Sequence, residues 1–390
     1  MAEFKVLEEI YKGKFGDTGL KRGGFRAPGS VNLFGNYLNY NQGSVLSIAI
    51  QKSIYMYAQL RTDRKIKVYS IDLNQEVDFD LDHYGQNRKY RWVNYIMGVI
   101  KEFQNSNYIL QGMNIVFRGD IPCKAGLGSS AALCVASALA IITLNEIDIP
   151  LVKMAFLCQR AENNFVGVTS QLISYYSTCL NEKDHTMLID CRSGDHQLIP
   201  FNTDYKIVLC NTGINSKLHY FKFKKRRWEC KEALAYFRNI LGRDLKSLCD
   251  IDIEDYNRYE DILKDTVKRR VKYIVTENNR VFQAVNALDS CNLDTFGRLM
   301  VESNNSMRYN FQVSCPEVNL LVTMALKHSG VLASKLTGIG WGGCTINLVQ
   351  QEMINDFRSK IEENYYNQFG LKPDIHIIRP SEGAEIILDY

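Results

Sequence analysis

A chain of 390 residues with 46% hydrophobic and 23% charged residues is long enough for two soluble globular domains, each with its own core. The formal net charge of +4 is small and dispersed, which excludes nucleic acid as a partner held by bulk charge. Eleven cysteines at scattered spacings form no C-x-x-C pair and no metal pattern, so reduced thiols and a cytoplasmic location are expected.

Residues 1–24 read as a polar helix followed by a Gly-rich approach, with no apolar signal-peptide core. Phe25 to Gly35 reads as a strand broken by a turn at Pro28-Gly29. Residues 44–60 alternate and are rich in β-branched and aromatic side chains, which predicts strands, with shorter ones at 66–70 and 76–79. Val93, Ile96, Met97, Ile100 and Phe103 recur at helical spacing across 92–104. Residues 112–118 alternate again and run into the stretch Pro122–Leu133, PCKAGLGSSAAL. The uncharged segment 125–145 contains Gly, Ser, Thr and Asn among its alanines, so it reads as a buried helix and not a membrane span. Helices are expected from Pro150 to about 164 and over 170–181, with strands at 187–190 and 205–211. Residues 216–285 are strongly charged and helical in pattern; the basic run 222–227 reads as a solvated helix start. The domain change is placed near residue 204, giving domains 1–204 and 205–390. In the last third, helix and strand alternate, and a second glycine cluster (338–343) precedes a strand at 344–349.

Gly126, Gly128, Ser129 and Ser130 fall within five positions between a strand and a helix. Glycines let backbone N–H groups approach a ligand closely, and a helix N-terminus adds unpaired N–H groups and a partial positive charge. The combination suits a phosphate. It is not a Walker loop, because no Lys-Ser or Lys-Thr pair closes it.

Six segments in order, 27–46, 122–133, 160–168, 188–193, 270–281 and 313–344, resemble the galactokinases, members of the GHMP small-molecule kinases. The resemblance implies an α+β fold of the GHMP kinase type, with an N-terminal S5-like α+β lobe and a C-terminal ferredoxin-like lobe. ATP and a sugar would meet between the lobes. It implies nucleotide binding by Gly126, Leu127, Gly128, Ser129 and Ser130, and Mg²⁺ held by Glu162 with Ser130. A carboxylate and a hydroxyl suit a hard dication that bridges phosphate oxygens.

The sugar half departs from the family pattern. Ser30 stands where galactokinases carry the Arg beside the transferring phosphate, in A-P-G-R-V-N-L. Their G-E-H-T-D-Y-N reads Gly35-Asn36-Tyr37-Leu38-Asn39-Tyr40-Asn41, so the sugar-holding Glu, His and Asp become Asn36, Tyr37 and Asn39. Their G-I-M-D-Q aligns with Gln171-Leu172-Ile173-Ser174-Tyr175, which puts Ser174 at the catalytic Asp. A sugar-stacking Tyr falls on Phe223. In the family the lost Arg and Asp form one buried charged pair. Loss of both avoids a stranded charge, whereas loss of one would cost several kcal/mol.

No catalytic residue is therefore expected at the family positions, Ser30 and Ser174. Asn36, Tyr37, Asn39, Ser174 and Tyr175 would line a neutral pocket for a small molecule such as a sugar. Two readings follow: an ATP-binding galactokinase homologue without kinase activity, acting as sensor or scaffold, or an ATP-dependent kinase for another hydroxyl substrate. No membrane partner is expected.

Overall fold

The computed structural model describes residues 2–122, 125–214 and 220–389; Cys123 and Lys124 of the Gly/Ser motif lie outside them. Helix α1 (Ala2–Phe15) precedes a long antiparallel hairpin, β1 (Arg22–Phe34) and β2 (Ser44–Leu60). Next come β3 (Lys65–Ser70), β4 (Gln75–Asp80), α2 (Val93–Asn105) and β5 (Met113–Gly119), then α3 (Ser129–Leu144), α4 (Leu151–Arg160) and α5 (Leu172–Leu180). Strands β6 (His185–Asp190) and β7 (His196–Pro200) complete the first half. The core path of this sheet reads β1-β2-β5-β3-β4, with β6 and β7 continuing from the near end of β2. Only the β3–β5 pair is parallel, as its crossover through α2 requires.

One face of this sheet is covered by α1, whose Phe4, Leu7 and Tyr11 pack on Tyr57 and Val116. The other face carries the helices. Among them α3 is apolar all round, with its residues from Ala131 to Ile141 buried, as an internal helix must be.

Pro28-Gly29 does not break β1. The strand runs through, and the register against β2 jumps from Pro28–Ser53 to Gly29–Ile50. The bulged backbone is satisfied elsewhere: Asp120 Oδ1 accepts from Ser53 N at 2.6 Å, and Gln51 N donates to Arg379 O at 3.2 Å.

The second sheet holds β8 (Tyr205–Asn211), β9 (Val331–Leu336), β10 (Cys344–Gln350) and β11 (Asp374–Ile378) in the order β11-β8-β10-β9. Numbered among themselves these strands lie 4-1-3-2, the ferredoxin-like arrangement. Between the first two come α6 (Tyr220–Leu241), α7 (Ile253–Tyr259), α8 (Asp265–Asp289), α9 (Leu293–Ser306) and α10 (Pro316–Lys327). Helix α11 (Ile354–Phe369) joins the last two. Along β8, Val208 and Cys210 face the core beneath α10 and α11, while Ile207 and Leu209 face the larger core.

Strand β12 (Glu385–Asp389) then leaves this half and pairs with β1 at the edge of the first sheet. The last residues, counted by sequence with 205–390, therefore belong to the first sheet. No described helix is long and apolar enough to cross a membrane.

Candidate functional site

A cavity of about 480 Å³ opens between the two sheets. Its wall is drawn from β1, the Gly/Ser loop, the turn after α4, the start of α5, α6, and the loop after β9.

On one side, Gly126, Gly128, Ser130 and Ala131 line the cavity at the N-terminus of α3. Gly128 is the N-cap residue, with φ 71°, and has no side chain to cap the helix, so the first-turn N–H groups are available to a ligand in the cavity. A Cβ built there would lie 2.9 Å from Ser30 Oγ, so space and backbone both demand glycine. Leu127 does not line the cavity. Its side chain is buried, and its carbonyl accepts from Ser30 N at 3.0 Å, which fastens the loop to β1. Ser129 is exposed and does not line the cavity either.

Helix α4 does not end cleanly at Arg160 but passes into a π turn over Ala161–Val166. The turn brings Glu162 into the wall. Glu162 is 4% exposed and shares the cavity with Ser130. The phenolic O–H of Tyr175 donates to Glu162 Oε2, and Ser170 Oγ lies 3.3 Å from the same phenol. Burial first, then the neighbouring Cys134 and the Glu162 carboxylate, push the Tyr175 hydroxyl well above its usual pKa. One carboxylate, one hydroxyl and phosphate oxygens are a donor set that fits Mg²⁺.

On the other side the cavity meets Ser30, Asn36, Tyr37, Ser174 and Phe223. Ser30 is 4% exposed and Ser174 half-buried, and α5 is tied to β1 by Thr178 Oγ1 donating to Pro28 O at 3.0 Å. Tyr37 has φ 69° and is buried among Phe311, Phe223 and Tyr273, at ring separations of 4.8, 6.2 and 6.3 Å. Its hydroxyl has no hydrogen-bond partner among the described residues. A Cβ on Gly340 would come within 2.7 Å of that hydroxyl and 2.6 Å of Val313 O, so the second glycine cluster is cut to fit Tyr37. Of the predicted pocket residues only Asn39 is off the wall, with its Oδ1 buried and unpartnered.

Several wall residues escaped notice in the sequence, including Asn32, Tyr95, Thr169 and Thr337. Asn32 and Thr337 lie inside the family-like segments and bond across the cleft, Thr337 Oγ1 donating to Asn32 O at 3.1 Å. Lys335 was missed as well. Its ammonium is fully buried and donates to Leu33 O at 2.7 Å, Ser303 Oγ at 3.0 Å and Asn36 Oδ1 at 3.3 Å. Burial pushes it down to about 8, against the pull of Glu277 4.0 Å away. Glu277 in turn accepts from Gly35 N at 3.1 Å, so α8 holds the loop that carries Asn36 and Tyr37.

Residues 9–60 match the galactokinase galactose-binding signature, 94–178 the GHMP kinases N-terminal domain and 284–367 the GHMP kinases C-terminal domain. The chain is 35% identical to a galactokinase of Roseiflexus sp. (strain RS-1), over 93% of each chain. It is 33% identical to a galactokinase of Bacillus subtilis (strain 168), over 97% of each. The crystal structure of Lactococcus lactis galactokinase complexed with galactose superposes with a TM-score of 0.90 at 30% identity, covering 98% of this chain and 99% of that one. The Methanococcus jannaschii mevalonate kinase shares the fold at 18% identity, with a TM-score of 0.63, 92% of this chain and 98% of that one being covered. GHMP kinases use ATP, and with this fold and these matches, the chain belongs to the galactokinase family of GHMP kinases.

Proposed function

We propose that the protein binds Mg·ATP or Mg·ADP but does not phosphorylate galactose, and works as a nucleotide-dependent sensor or scaffold within the family. The observation that carries this reading is the pair Ser30 and Ser174, which face one cavity from β1 and α5 with no charge on either. Phosphoryl transfer leans on positioning and electrostatics. A general base is worth ~10²–10⁴-fold, and a cationic clamp ~10³-fold or more by analogy with arginine fingers. The neighbouring substitutions work in the same direction. Tyr37 fills the aromatic nest beside Phe223 and Phe311, and Asn36 has its amide oxygen engaged by Lys335.

In the nucleotide half, the N-terminus of α3 would hold the phosphates, with Ser130 and Glu162 holding the metal ion. The ion would neutralise charge on the phosphates; the chain's own part is to present the first-turn amides and to keep Glu162 buried on the cavity that Ser130 also lines. The continuity of the cavity from the Gly/Ser loop to Ser30 and Ser174 supports a second reading, transfer to a hydroxyl compound other than galactose.

A coupled ATP-consumption assay across galactose, other sugars, polyols and amino alcohols, with calorimetry of Mg·ADP alongside, separates these outcomes. Nucleotide binding without galactose turnover is expected. Turnover of galactose in the ordinary enzyme range of ~1–10³ s⁻¹ would overturn the reading. Turnover of another compound would establish the second.

A further inference from the structure

We propose that the non-nucleotide half of the cavity takes an anion, namely a small polyhydroxylated carboxylate such as a sugar acid, in place of a neutral sugar. This rests on the reading that the site no longer serves galactose.

Two buried ionic clusters stand behind that half of the wall, and each has more cation than anion. In the first, Glu277 is shared by Arg280 Nε at 2.9 Å and Lys335 Nζ at 4.0 Å, and neither Glu277 nor Lys335 is exposed. In the second, Glu229 is shared by Arg226 at 2.9 Å and Arg270 at 2.6 Å. Four cations thus face two carboxylates, out of water, where such imbalance is costly. Lys335 reaches the cavity through Asn36, and Arg226 lies behind Tyr37, its Nε donating to the carbonyl of Phe311, whose ring packs on Tyr37. The Arg226 guanidinium is itself held below its usual range by burial and by Arg270, and Lys335 is held down by burial. Both are cations short of counter-charge.

The wall does not supply that charge. Among its described residues Glu162 is the sole carboxylate, and it is engaged by Tyr175 on the loop side. Ser30, Asn36 and Ser174, which the cavity meets on this side, carry no charge, and Asn39 lies off the wall.

Hydrogen-bond polarity points the same way. Galactose hydroxyls need acceptors as well as donors, and this side of the wall offers no carboxylate acceptor. Lys335 fixes the Asn36 amide by taking its oxygen, so Asn36 offers the cavity an NH₂ whose other contact, Gly338 O, is long at 3.4 Å. Ser30 and Ser174 add two hydroxyls at the wall. Such a set receives a carboxylate better than a sugar edge.

Calorimetry on the full chain would compare galacturonate and gluconate with galactose, and with sulfate as a plain anion, at constant ionic strength. At least tenfold tighter, saturable binding of one of the sugar acids is expected. Asn36→Glu and, separately, Ser174→Asp should each weaken it tenfold or more, and Mg·ADP binding checks that each variant is folded. Ser174 is half-buried on an open wall, so its variant keeps the test alive where Asn36→Glu fails to fold. Absence of sugar-acid binding while Mg·ADP still binds would overturn the proposal alone. So would galactose or sulfate binding as tightly, or affinity unchanged in both variants. Galactose turnover would instead overturn the reading beneath it.

Discussion

Tyr175 donates its phenolic hydrogen to Glu162, and both side chains are buried at the edge of the cavity. The carboxylate suited to a metal ion thus already accepts a charge-assisted hydrogen bond from Tyr175. A metal ion arriving with nucleotide phosphates must share Glu162 with that phenol.

Tyr175→Phe removes the donor and leaves the ring. Magnesium titrations at fixed ADP should then reach half-saturation at several-fold lower Mg²⁺. Stability should fall by about 1–3 kcal/mol, the range for leaving a buried partner unsatisfied. An unchanged magnesium requirement would mean that Glu162 is not a metal ligand in this chain.

Gly128→Val should abolish nucleotide binding. The substitution places a branched side chain at φ 71° and a Cβ 2.9 Å from Ser30 Oγ, between the loop and the strand that fastens it. Nucleotide at about 100 times its dissociation constant should stabilise the wild type by ~2.7 kcal/mol. Differential scanning calorimetry with and without Mg·ADP should show that gain in the wild type and none in the variant. An equal gain in both would move the nucleotide away from this loop.

Ser30→Arg combined with Ser174→Asp should not restore galactokinase activity. Catalysis needs the hydroxyl in near-attack geometry, and Asn36 and Tyr37 would still shape the other half of the pocket. Recovery of robust galactose turnover would refute this. The two single variants should differ in stability. Ser30 is buried, so Ser30→Arg adds an unpaired cation to a wall already backed by positive clusters, whereas Ser174 is half-buried on the open side. The double variant should therefore melt above Ser30→Arg alone.

The sequence carried the strands and helices of the first half because alternation and helical spacing are local signals, and the Gly/Ser loop because its context was strand, loop, helix. Pro28-Gly29 misled because a bulge satisfied from Asp120 and Arg379 depends on residues far along the chain. The return of β12 to β1 was invisible for the same reason: five residues bear no mark of the sheet they join. At the site, the wall residues Ser30, Asn36, Tyr37 and Ser174 were legible one residue at a time. The buried groups behind them were not. Lys335 looks like any strand lysine until the fold places it against Asn36 and Glu277 with no water.

Lys335 also makes a pH-dependent prediction. Its folded pKa of about 8 lies below the 10.5 of an ordinary lysine, because burial outweighs Glu277. Between those values the unfolded chain binds more protons than the folded one, so this group makes stability rise with pH. The cost of the buried ammonium is present in full below pH 8 and lifts progressively up to about 10.5. Other groups mask the trend in the wild type alone: burial pushes the thiols of Cys134, Cys158 and Cys179 up, and these lose folded-state stability as pH rises past the ordinary thiol value. Comparison with Lys335→Met cancels them, since both proteins share the same thiols. In the variant Glu277 keeps Arg280, the Gly35 amide and the Ser303 hydroxyl. Denaturant unfolding at about pH 7.5 and 9.5 should show the wild type gaining on the variant by on the order of 1 kcal/mol. A gap that stays constant across that window would mean that Lys335 keeps its proton throughout, with Glu277 compensating it fully.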